Sequence, residues 1–110
     1  MRRMSEYQER AAFEQAENAR IDAESAAAKA QYHAENENFE QAKKEAQNAA
    51  SAAIEANTQF YLILEFYHDP QSVAEAARIY EQAEDAARRA EKAIYSAILK
   101  IKAKAERATR

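Results

Sequence analysis

Apolar residues recur at alternating steps of three and four on both sides of a single proline, and this pattern constrains the fold more than any other feature of the chain. Upstream the series is Phe39, Ala42, Ala46, Ala49, Ala53, Ala56, Phe60, Ile63 and Tyr67. Downstream it is Val73, Ala76, Tyr80, Ala83, Ala87, Ala90, Ile94, Ala97 and Ile101. Such spacing lays one apolar seam along each of two helices. Pro70 has no N–H and disfavours the helical conformation of the residue before it, so a helix arriving from upstream ends near position 68. Asp69 is then an N-cap with Pro70 at the first helical position, and Ser72 with Glu75 offers an overlapping capping box. Folded back at Asp69-Pro70, the seams match by size: Phe60 meets Tyr80, Ala53 meets Ala87 and Ala49 meets Ala90. Alanine between them lets the two backbones approach toward the short end of the usual separation of about 8–10 Å.

A third seam, Ala12, Ala16, Ala19, Ala23, Ala26 and Ala30, belongs to a first helix. It ends nine residues before the next seam opens at Phe39, where an unbroken heptad would give seven or eleven. The polar run AENEN at 34–38 fills the gap, and Asn36 or Asn38 can cap the helix that follows. The spacing therefore predicts an all-α, antiparallel up-down-up three-helix bundle, a single domain over 1–110 with helices at about 4–34, 38–68 and 70–108. The competing reading is a continuous helix from Met4 to Tyr67, about 100 Å long. It gives a long-helix hairpin that oligomerises, since Tyr7, Ile21, Tyr32 and Phe39 keep one phase through the gap. In the three-helix reading, Tyr7 and Phe13 join Phe60, Tyr61, Leu64, Tyr67, Ile79 and Tyr80 at one end. Tyr32, Phe39, Tyr95, Ile98, Leu99 and Ile101 close the other.

Composition supports the helical reading and limits the core. The 110 residues include 29 alanines, one proline and no glycine, which leaves little turn chemistry for a sheet. Without alanine, the large apolar residues number only 23, a modest core that invites self-association. There is no cysteine, so disulfides and thiolate metal sites are excluded. The opening MRRMSEYQER lacks the apolar run of a signal peptide, and Phe60 to Leu64 is far too short to span a membrane. The expected setting is cytoplasmic, or soluble as a recombinant product.

The chemistry-bearing patterns are sparse. Glu65-x-x-His68 has the spacing used in carboxylate-bridged metal bundles, but the other histidine, His33, has Ala30 three residues before it, so the second copy of the motif is missing. His33 and Glu37 lie one turn apart, and two ligands do not close a zinc site. No glycine-rich phosphate loop or Ser-His-Asp arrangement stands out. Lys100, Lys102, Lys104 and Arg107 complement the C-terminal end of the last helix dipole. With a net charge of −3, the chain reads as having no nucleic-acid partner. The expectation is a non-enzyme with no catalytic, cofactor or metal residues. Partners reduce to a homo-oligomer, with no membrane partner and a small-molecule ligand disfavoured. The candidate interface is Phe60, Tyr61, Leu64, Phe66 and Tyr67, a stretch apolar almost all round, with burial inside the bundle as the competing use. The alternative function is a helical binding module that presents this aromatic end, or a mid-bundle cavity, to a peptide or small apolar ligand.

The segment DPQSVAEAARIYEQAEDAARRAEKAIYSAILKIKAKAER, residues 69–107, resembles computationally designed helices. The Asp-Pro start, the Ser-x-x-Glu cap, the regular seam and the Ala/Glu/Arg/Lys filler are devices of that class. The resemblance implies a de novo alanine-rich bundle serving as a structural, self-assembling scaffold. Secreted Trp-x-Gly hairpins are of similar length, but this chain has neither Trp nor Gly.

Overall fold

Local chemistry at two breaks divides the chain. The computed structural model describes residues 6–67 and 69–109, and folds them into α1 (Glu6–Glu35), α2 (Phe39–Phe66) and α3 (Pro70–Ala108). The helices pack each against both others, with no strand among the described residues. The start expected at residue 4 lies outside the described residues. α2 stops at Phe66, two residues short of 68, where Tyr67 is already extended (φ −116°, ψ 133°); Pro70 holds Asp69, the residue directly before it, extended as well.

The proline break resolves the choice between the two caps. Asp69 adopts the extended backbone of an N-cap, and its Oδ2 accepts a hydrogen bond of 2.8 Å from the Ser72 N–H. Pro70 occupies the first helical position, and Glu75 instead pairs with Arg78 on its own helix. The Ser72 N–H holds the Asp69 carboxyl below the ordinary carboxylate range, and the Arg78 guanidinium does the same for Glu75. Both acids bind protons more weakly folded than unfolded. Their stabilisation is therefore complete above the unfolded value near pH 4, and is lost as pH falls through the lower folded values. Thermal unfolding followed by circular dichroism is expected to show a flat midpoint at neutral pH and a falling one in acid. Asp69→Asn, which still caps but does not titrate, is expected to flatten that fall while leaving the neutral midpoint nearly unchanged.

The first break is a helix-ending motif closed without glycine. The Asn38 N–H reaches back to the His33 carbonyl at 2.8 Å, and the Glu37 N–H to the Ala34 carbonyl at 3.0 Å. Together these satisfy carbonyls at the end of α1 in a Schellman arrangement. The motif requires a left-handed residue, and Glu37 supplies it at φ 60°. Asn36 serves α1 rather than α2, its Nδ2 donating to the Tyr32 carbonyl at 2.8 Å. Asn38 stands at the N-cap of α2 without a side-chain cap bond. A β-carbon in the left-handed region costs about 1–2 kcal/mol, partly offset by the extra chain entropy a glycine would lose. Glu37→Gly is therefore expected to stabilise the fold by about 1 kcal/mol in urea denaturation.

The core is built of alanine. Ala23 and Ala30 of α1, Ala49 and Ala56 of α2, and Ala83 and Ala90 of α3 are all buried in one continuous cluster. All six alanines of the α1 seam are buried, and Ala27, Ala34 and Ala86 widen the contact beyond the seams read from sequence. Ile63 is the largest fully buried side chain among the described residues. It packs with Ala12 and Ala76 inside a ring of Phe13, Phe60, Leu62 and Tyr67. The result is a slender rod of 68 × 21 × 15 Å. Its radius of gyration of 18.1 Å compares with about 13 Å for a globular domain of this length.

Candidate interaction surface

The helix spacing that buries alanine turns many bulky residues outward. At the proline end, Phe60 stacks tilted on Tyr80 at 5.2 Å, and Phe13 meets Tyr67 edge-on at 6.0 Å. Of the five residues expected to form an interface, Phe60, Leu64, Phe66 and Tyr67 are half-buried, and Tyr61 is 64% exposed. Tyr7, expected at this end, is 83% exposed and joins neither aromatic pair. The opposite end departs further from the sequence reading. Tyr32, Tyr95, Ile98, Leu99 and Ile101 do not close it, because all five are exposed. Tyr32, Tyr95, Ile98 and Leu99 lie off the alanine seams, so rotation about the helix carries them outside, whereas Ile101 is on the α3 seam but 37% exposed in the last two turns of the helix.

A groove of about 240 Å³ runs between α2 and α3, floored by Ala50, Ala53 and Ala87 and walled by Ile54, Asn57 and Tyr80. Glu84, Arg88 and Glu91 form its rim. Burial, with Glu84 beside it, pushes the Tyr80 phenol above its ordinary value. Asn57 Oδ1 is buried there without a hydrogen-bond partner, and Ile54 stands 67% exposed at the groove wall. Sequence reading placed no functional weight on Ile54 or Asn57. The signal for Ile54 was a lone isoleucine between the alanines of α2, off the seam by one residue.

Charge is mostly balanced within the bundle. On α1, Arg20 bridges Glu17 and Glu24, with Glu24 at 2.7 Å, and the Glu17 hydrogen bond raises the Arg20 pKa. Glu84–Arg88 and Asp85–Arg89 pair along α3 at 3.6 and 3.2 Å, each one helical turn apart. The basic tail does not stand clear of the fold. Lys100, Lys104 and Arg107 line one groove of about 430 Å³ with Glu35 and Glu37 of the α1–α2 break. His68 lies outside the described residues. Among the described residues, no three His, Asp or Glu side chains gather as a metal-binding group, and no helix is long and apolar enough to cross a membrane. No family model, curated protein or solved structure matches the chain.

Proposed function

We propose that the chain is a structural scaffold without catalytic activity, a designed alanine-rich bundle that self-associates through its outer apolar residues. One observation carries this reading: the core is alanine, while Ile54, Tyr61, Tyr95 and Ile98 remain largely outside it. Burying a methyl group yields only about 0.8 kcal/mol, whereas a large aliphatic or aromatic side chain yields about 1.5–3 kcal/mol. Most of the apolar surface that this chain can still remove from water is therefore on its exterior, where a partner is needed to cover it. Most of the alanine surface is already engaged within the chain, so the contact between copies falls chiefly to the bulky outer residues.

Sedimentation equilibrium at widely spaced concentrations tests the proposal. A mass that rises with concentration to a closed oligomer is expected, and a monomer at every concentration refutes self-association. Small-angle scattering on the same samples reads the rod directly, with a monomer expected near the 18.1 Å radius of gyration.

A further inference from the structure

Four of the outward bulky residues share one face. Ile54 and Tyr61 are seven residues apart on α2, two helical turns. Ile98 lies eighteen residues from Tyr80 on α3, five full turns, so it continues the line along which Tyr80, Ala87 and Glu91 line the groove. Tyr95 flanks it. The stripe thus runs along the groove between α2 and α3, with Tyr61 at the proline end and Ile98 toward the other. These residues are 67% (Ile54), 64% (Tyr61), 63% (Tyr95) and 48% (Ile98) exposed. Their open surface amounts to roughly 250–450 Å² per copy. A standard interface covers about 800 Å² per partner, near 60% of it apolar, so these four side chains supply more than half of the apolar part.

The charge beyond each end of the stripe selects the partner. Glu65, one turn past Tyr61, is exposed at the proline end. Lys102, one turn past Ile98, and Lys43, three turns before Ile54, are exposed at the other. The face is more acidic at the proline end, where Glu84 adds to Glu65, and more basic at the other, where Glu40 and Glu91 only partly offset the lysines, so it matches itself better turned end for end than with copies parallel. Two-fold symmetry provides that reversal. At the centre, the floor of Ala50, Ala53 and Ala87 leaves a hollow of about 240 Å³ beside the protruding Ile54. Each copy offers both a knob and a hole at the level where a two-fold axis would pass.

We propose that the α2–α3 face is the contact of an antiparallel, two-fold dimer of this chain. The partner's Ile54 seats in the alanine-floored groove, and Lys43 and Lys102 lie over the partner's Glu65. This inference rests on the self-association reading and adds its surface, its stoichiometry and its polarity.

Sedimentation equilibrium of the full chain, with helix content checked by circular dichroism, tests it. Wild type is expected to form a dimer. Ile54→Glu, at an exposed position, is expected to keep its helix content and weaken the dimer on the order of a hundredfold or more, and Tyr95→Glu to repeat the effect from α3. Ile21→Glu, on the outer side of α1, is expected to leave the dimer unchanged. At low salt, Glu65→Lys and Lys102→Glu each weaken the dimer on the order of tenfold, since symmetry counts each pair twice. Combining Glu65→Lys with both Lys102→Glu and Lys43→Glu restores it. A wild-type monomer at all concentrations refutes the self-association reading itself. An oligomer that survives Ile54→Glu but is lost with Ile21→Glu, or one larger than two, overturns the assigned surface and leaves that reading standing. A dimer broken by Ile54→Glu but not rescued by the paired charge reversal overturns the antiparallel polarity. Monomeric protein that binds an apolar helical peptide in the groove overturns the dimer in favour of a foreign occupant.

Discussion

Ile63→Ala is expected to lower the unfolding free energy by about 2–5 kcal/mol in urea denaturation, the largest effect of any single truncation in the described core. Ile63 has no exposed surface, and its contacts come from all three helices through Ala12, Ala76 and the ring of Phe13, Phe60, Leu62 and Tyr67. Removing three carbons leaves a hole edged by aromatic rings, which are rigid and cannot close over it. Native stability is about 5–15 kcal/mol for a domain, so the variant approaches the threshold of folding. Ile63→Val, which removes one carbon, is expected to cost about 0.5–1.5 kcal/mol. A loss below 1 kcal/mol for Ile63→Ala would mean that the alanine cluster alone holds the helices together.

The second large effect runs the other way in volume. Ala83→Leu is expected to destabilise the fold by about 1–3 kcal/mol or to force the helices apart, although leucine is a good helix former and more apolar than alanine. Ala83 is fully buried in the cluster that joins α1, α2 and α3, and the close approach there depends on its single methyl group. Ala28→Leu, at an exposed position of α1, is expected to leave stability within about 0.5 kcal/mol. The contrast separates helix propensity, which both substitutions share, from interhelical space, which only the first consumes. If both variants unfold at the same urea concentration, tight alanine packing is not what fixes the helix separation.

The parts of the fold that were readable in advance are those set by local rules. The proline turn, the Asp69 cap and the three alanine seams follow from chain chemistry within a few residues, and the structure contains each of them. The polar run at 34–38 was correctly read as a break, but its mechanism was not. Glutamate rarely takes the left-handed conformation, so nothing in the sequence marks Glu37 as the residue that closes α1, and Asn36, read as a cap for the helix that follows, serves α1 instead. The aromatic residues misled for a different reason. Tyr32 and Tyr95 are large and apolar enough to be assigned to a core, yet a core whose spacing is set by methyl groups has no volume for them. Hydrophobicity ranks which residues prefer burial; the separation of the backbones decides which can be admitted. The same inversion hid the α2–α3 face, since Ile54 acquires meaning only once Ala50, Ala53 and Ala87 are seen to form a hollow beside it.

The uniformity of the alanine seams has a consequence for alignment. A ridge of small steps is nearly degenerate under translation: sliding α2 past α3 by one heptad returns Ala49 to an alanine, and what it disturbs are the bulky residues that bound the waist, Tyr80 and Ile94 of α3. The middle of the rod therefore contains little positional information. What indexes the two helices is the irregular end, where Phe60 meets Tyr80 and the short connection at Asp69-Pro70 limits travel. The molecule is a zipper with its stop at one end, and severing that stop would leave two smooth tracks with no preferred offset.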